Sequence, residues 1–375
     1  MPPAESLRSW LMLRAVRGVG DATFCRLVQC FGSPDSVLAA SAERLMSAGS
    51  VSPSLAHAIC QGPDHTAKKA IDGELKKAEK HHLTVITFLD DRYPPRLRTI
   101  PDPPPLLYVA GTLERADHLA LAIVGSRKAT AAGRQVTEEL SRDLSALGFT
   151  IVSGLARGID AAAHRGALLA KGRTVGVLGC GIDRMYPPEH ASLRRQIESS
   201  GAVISELPLG SYPHGYHFPR RNRIISGVCL GVIVTEATLH SGSLITARLA
   251  ADQGREVFAL PGFVKSETSR GPNSLIKQGA TVIESVEDVI AELLPQLDAA
   301  DRERLGKHVS RQASAPPCPD ENEAVLYDIL TWDGTHIDDL IVQSGLSSAD
   351  VSALLLSLEL KGLVRQLPGH CYIRL

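Results

Sequence analysis

The 375-residue chain carries 40 Lys and Arg against 41 Asp and Glu, a net charge of -1, and is 44% hydrophobic but only 4% aromatic. Its length suits two or three domains, and its near-neutral balance excludes a global field strong enough to gather nucleic acid, so any polyanion binding must be local. Seven cysteines without a CxxC pair argue against a zinc site and a secreted disulfide framework, and no uncharged apolar stretch reaches the roughly 20 residues of a membrane span, so a soluble cytoplasmic protein is expected.

Residues 1–80 read as an all-helical module, with Leu7, Leu11, Leu13, Leu27, Val28, Val37, Leu38 and Leu45 at helical spacings. Gly18-Val19-Gly20 lies between two of these patterns, as in helix-hairpin-helix or SAM-like modules whose glycine turn can offer backbone N–H groups to a phosphate. From 83 to 295 the chain alternates. Apolar, β-branched runs at 83–88, 119–124, 150–153, 174–178, 202–205, 231–234 and 256–260 are separated mostly by patterns of helical length at 131–147, 161–170, 190–200, 220–229 and 244–253. This is the pattern of a parallel sheet with helices on both faces, entered through an irregular proline-rich connection, 93–105.

Residues 296–320, with Pro316, Pro317 and Pro319, read as a linker. Beyond it, 321–375 carries three short helical patterns and a closing strand pair around Pro368-Gly369, a winged-helix domain. Eight acidic and three basic residues give it a net charge of -5, and its would-be recognition helix, 347–360, holds no Lys or Arg. A groove-reading helix needs cations to neutralise phosphate, so a protein-contact or regulatory module is expected.

In an open parallel sheet, ligands bind beyond the C-terminal strand ends. Four glycine-bearing loops fall there: Gly125-Ser126-Arg127-Lys128, the segment opening Ser153-Gly154, Gly179-Cys180-Gly181, and Ser241-Gly242-Ser243 after Glu236. None matches a dinucleotide fingerprint or a P-loop, so no nucleotide cofactor is expected. Asp160 and His164, spaced i, i+4, read as a helix-cap pair, and no catalytic triad or metal-ligand spacing stands out. Phe218-Pro219-Arg220-Arg221-Asn222-Arg223 places three arginines in the predicted first turn of a helix, where cations oppose the helix dipole and call for a compensating anion. With Phe218 as a stacking platform, and His214, His217, Tyr212 and Tyr216 beside it as an aromatic surface, a phosphate-binding groove is the natural reading.

These motifs resemble the DNA-processing protein A family, also called DprA or Smf. The resemblance runs through GSR at 125–127, SGLARGIDAAAH at 153–164, GCGIDRMYP at 179–187, FPRRNRIIS at 218–226, EATLHSGSLITA at 236–247, GREVFALPG at 254–262 and GPNSLIKQGA at 271–280. It implies an extended Rossmann-like core between a helical N-terminal module and a C-terminal winged helix, and a homodimer formed through the core. The implied role is non-enzymatic: binding and protecting incoming single-stranded DNA and loading the recombinase RecA in natural transformation. It puts Arg127 at a phosphate and Phe218, Arg220, Asn222 and Arg223 along the same groove; with Gly125, Ser126, Lys128, Gly154, Arg221, Ser241 and Gly242 these form the expected DNA site. Two alternatives predict other chemistry. A nucleoside-monophosphate phosphoribohydrolase would need a PGGxGTxxE segment, which 236–243 lacks; a winged-helix transcription factor would need a basic C-terminal domain.

Overall fold

Runs as short and apolar as Ala-Leu-Ala-Ile-Val at 120–124 and Gly-Val-Ile-Val at 231–234 have no polar face, so they are stable only where both faces of a sheet are covered. The computed structural model, which describes residues 4–47, 51–80, 83–312, 321–332, 334–367 and 369–374, buries every residue of both. The chain divides into two compact units, Met1–Gln296 and Leu297–Leu375.

The first unit opens with helices α1 (Ala4–Arg14), α2 (Asp21–Phe31), α3 (Pro34–Leu38), α4 (Ala42–Ser47), α5 (Pro53–Gln61) and α6 (His65–Lys80). Gly18, at φ +93°, makes the turn between the first two, and Trp10 stacks on Phe24 with ring centroids 5.4 Å apart. There follow β1 (Thr84–Thr87), α7 (Pro95–Arg98), β2 (Leu106–Gly111), β3 (Ala120–Val124), α8 (Ala131–Ala146), β4 (Thr150–Ser153), α9 (Ile159–Leu169) and β5 (Thr174–Val177). The chain continues through α10 (Ala191–Ser200), β6 (Gly201–Ser205), α11 (His217–Gly227), β7 (Gly231–Val234), α12 (Gly242–Asp252), β8 (Glu256–Ala259), α13 (Arg270–Lys277), β9 (Thr281–Val282) and α14 (Val286–Leu293).

These strands form one sheet in the order β1-β2-β6-β5-β4-β3-β7-β8-β9. From β6 to β9 all pairings are parallel, while β1 and β2 are antiparallel additions at one edge. Strand β3 is flanked by β4 on one side and β7 on the other, so the winding direction reverses there and opens a crevice at the strand ends. One hydrophobic core runs from the N-terminal helices (Leu13, Phe24, Leu45) into the sheet. No single helix among the described residues is long and apolar enough to cross a membrane.

The doubly wound core matches the sequence expectation, with β2, β9, α7, α13 and α14 as additions. β2 follows directly on the proline connection and lies between β1 and β6; β9 is two residues long, too short to carry a period. Helix α11 begins at His217, because the turn closed by His217 N–H donating to His214 O feeds straight into it. Arg220 to Arg223 therefore fall beyond its third residue.

The second unit holds α15 (Ala299–Gln312), α16 (Glu321–Ile329), β10 (Thr335–His336), α17 (Ile337–Ser344), α18 (Ser348–Leu360), β11 (Val364–Leu367) and β12 (Cys371–Arg374). Leu326, Leu340, Val351, Leu355 and Leu358 make its own core beside a three-stranded sheet, the winged-helix arrangement. Residues 299–312, inside the stretch expected as linker, are helical; Pro316, Pro317, Pro319 and Pro368 lie outside the described residues.

Candidate nucleic-acid interface

The loops after β3 and β7 meet across the crevice because glycine lets their backbones touch. Ser126 N–H donates to Glu236 O (2.7 Å) and Ile159 N–H to Ser126 O (3.2 Å). A Cβ on Gly125 would stand 2.6 Å from Ile159 Cγ1 and 2.7 Å from Glu236 O, so no larger residue fits without moving a loop. The Glu236 carboxylate is spent on this architecture. It accepts from Thr130 N–H (2.8 Å), Thr130 Oγ1 (2.6 Å) and Thr268 Oγ1 (3.3 Å), fixing the N-cap of α8 and the loop after β8.

The crevice is an open cleft of about 780 Å³. Gly125, Ser126, Arg127, Lys128, Phe218, Arg221, Asn222, Ser241 and Gly242 all line it, nine of the twelve residues singled out from sequence. Gly154 lines a smaller adjoining pocket that shares Arg127 and Phe218. Tyr186, Thr238, Ser243 and Thr268 also line the cleft and were missed. Thr238 and Ser243 could have been found, since they flank Ser241 in a motif already noted; Tyr186 and Thr268 reach the site only through tertiary packing.

The cations divide sharply by role. Arg127 and Lys128 are exposed, and the Arg127 guanidinium lies 5.2 Å from the Phe218 ring centroid. Phe218 packs at 5.6 Å from Tyr186 on one side, and a Cβ on Gly179 would come within 2.8 Å of its Cδ1. Arg221 lies buried at the base of the cleft. It donates to the carbonyls of Gly154 (2.9 Å) and Val177 and to Asn222 Oδ1 (3.3 Å), tying the ends of β4 and β5 together. Burial pulls its pKa down to about 10, although the neighbouring Asp160 opposes this, and burial likewise pushes the Asp160 carboxyl up. Asn222 Nδ2 donates to Gly242 O (3.2 Å), which links α11 to the start of α12, where Ser241 is the N-cap.

Arg220 and Arg223 do not join this group. Arg223 is 4% exposed and ion-paired to Glu206 (2.6 Å), Asp21 (2.8 Å) and Asp102 (2.9 Å). Arg220 is half-exposed but pairs with Asp21 (2.6 Å) and Glu206 (3.4 Å). The anion that the arginine cluster called for is thus largely the protein's own carboxylates, and Arg223, expected in the groove, is a clamp between α11, the start of α2 and the segment preceding β2. Asp21, the first residue after Gly18-Val19-Gly20, serves this docking. The expected Asp160–His164 pair is also absent. Thr174 Oγ1 donates to Ile151 O and accepts from His164 Nδ1–H (2.7 Å), while burial lowers the His164 pKa to about 3.

Residues 84–294 match the DNA recombination-mediator protein A family, and residues 310–370 match the DprA winged helix domain. The chain is 40% identical to Protein Smf of Escherichia coli over 82% of each chain, and 36% identical to Protein Smf of Synechocystis over 97% of this chain and 98% of that one. Among solved structures it is similar to DNA processing protein A of Streptococcus pneumoniae (34% identity, TM-score 0.64, 78% of this chain and 98% of that one). It is also similar to DNA processing protein A of Helicobacter pylori, described for its single-stranded DNA binding mode (32% identity, TM-score 0.52, 58% of this chain and 99% of that one).

Proposed function

The chain belongs to the DNA recombination-mediator protein A family, and from that premise we propose that it binds single-stranded DNA in the cleft between the β3 and β7 loops. The observation that carries this reading is the placement of exposed Arg127 over the half-buried ring of Phe218, with exposed Lys128 lining the same cleft. Cations capture phosphate, an aromatic face stacks any base, and a flexible strand can present both in succession where a duplex keeps its bases stacked on each other. The cleft is open and its polar lining is mostly backbone, hydroxyl and amide groups, which suits sequence-tolerant binding.

In this reading the protein protects incoming strands and delivers them to the RecA recombinase during natural transformation, in the cytoplasm, as a homodimer through its core. It is not an enzyme. Support for that point comes from Glu236, the carboxylate a phosphoribohydrolase would use, whose oxygens are engaged by Thr130 and Thr268.

The test is a titration of labelled oligonucleotides, single-stranded against duplex, over a range of salt. Wild type is expected to prefer the single strand. Arg127→Ala and Lys128→Ala are each expected to lower the log-log salt slope by about 0.7 per lost phosphate contact. Equal affinity for duplex, or a slope unchanged in the folded double variant, would refute the assignment.

A further inference from the structure

Tyr212 and Tyr216, 60% and 71% exposed, lie on the loop from β6 into α11, and neither is among the residues that line the cleft. The loop that carries them is fixed. Gly181 N–H donates to Ser211 O (2.9 Å), Gly210 N–H to Asp183 Oδ1 (2.7 Å) and His217 N–H to His214 O (3.0 Å). The Arg184 guanidinium lies 4.3 Å from the Tyr212 ring centroid, and His214 stacks on Tyr216 at 5.6 Å with planes 4° apart. This row adjoins the cleft: Pro213 and Gly215 of the same loop line it, as does Tyr186, which stands two residues after Arg184 and packs its ring on Phe218.

We propose that Arg184, Tyr186, Tyr212 and Tyr216 form a second stretch of the strand's path, a shelf on which further bases stack after leaving Phe218. The inference rests on the single-strand reading of the cleft. Its occupant is single-stranded nucleic acid because the shelf extends the cleft's own edge and repeats its chemistry, an arginine lying over an aromatic face at both Phe218 and Tyr212. Rings on a loop fixed by backbone hydrogen bonds and packed against Arg184 and His214 lose little freedom on binding, so base stacking on them is retained as affinity.

The experiment uses the full chain and two oligothymidylates, of about four and about sixteen nucleotides, which bracket the span one small binding domain covers. The double variant Tyr212→Ala/Tyr216→Ala is expected to bind the long strand at least roughly tenfold more weakly, from loss of one or two base stacks, and the short strand unchanged. Tyr212→Phe/Tyr216→Phe should restore binding, because the ring face is kept. Unchanged long-strand affinity in the alanine variant, with both strands weakened by Arg127→Ala, overturns the shelf and leaves the cleft standing. An equal loss on both lengths in the tyrosine variant overturns it too, since a short strand confined to the cleft cannot sense a surface beyond it. If Arg127→Ala leaves both lengths unaffected, the cleft reading itself falls.

Discussion

Arg127 and Arg223 look alike in sequence, each a cation near a glycine-rich or aromatic motif, and the structure gives them opposite work. Arg127 is exposed over Phe218, whereas Arg223 is buried among three carboxylates that lie 17, 121 and 202 residues away in the chain. Separations of that size carry no local pattern, so the sequence showed an excess of positive charge without showing its counter-charge. Burial pushes the Glu206 carboxyl up even with Arg223 and Arg220 beside it, so desolvation is a large opposing effect there. Removing the cation would strand Glu206, 8% exposed, without its main partner. Breaking a buried pair in this way costs about 3–5 kcal/mol. Arg223→Ala is therefore expected to lower the denaturant midpoint strongly while the salt slope of DNA binding, measured on the remaining folded protein, stays at the wild-type value. A stable Arg223→Ala protein with a reduced slope would place Arg223 in the groove after all.

Among elements, the central strands were legible because strands buried on both faces must be short apolar runs, and helices α8 and α10 because each returns an apolar stripe to the sheet, whereas α9 and the second half of α11 are buried nearly all round. The strand β2 was not, since its partners β1 and β6 are set by tertiary pairing and its chain entry is disguised by Pro103, Pro104 and Pro105. The cleft was legible to a similar depth: glycine loops at strand ends named six of its residues and the Phe218–Arg223 motif three more, while the tight packing beneath Phe218 was invisible. That packing makes a prediction. Gly179 approaches the Phe218 ring so closely that the methyl of Gly179→Ala, 2.8 Å from Cδ1, must displace it. Because the ring is half-buried rather than enclosed, displacement outward costs less than forcing the loop apart, and the fold should survive. Single-strand affinity is expected to fall by several-fold, within the about 1–3 kcal/mol of one base stack, with the salt slope unchanged because no phosphate contact is lost. A variant that keeps full affinity would mean that Phe218 does not stack the strand.

Across the whole molecule, the net charge of -1 conceals a division. Residues 321–375 carry -5, which leaves +4 on the remainder, so the acidic module and the cation-bearing cleft belong to different compact units. Helix α18, in the position that enters the major groove in DNA-reading winged helices, has Asp350 and Glu359 and no cation, and each phosphate it met would be left unneutralised. The unit Met1–Gln296 has a hydrophobic core continuous from the N-terminal helices to the sheet, independent of the cluster around Leu326, Leu340 and Leu355. A protein ending at Gln296 is therefore expected to fold and to bind a single strand within about twofold of the full chain at moderate salt, where charges beyond a Debye length of about 10 Å are screened. At low salt the truncated protein should bind more tightly, since an acidic module repels the same polyanion that the cleft attracts. Anisotropy titrations of both proteins at two ionic strengths decide the matter. A tenfold loss on truncation would make the winged helix part of the DNA site, and the protein-contact role inferred from its charge would fail.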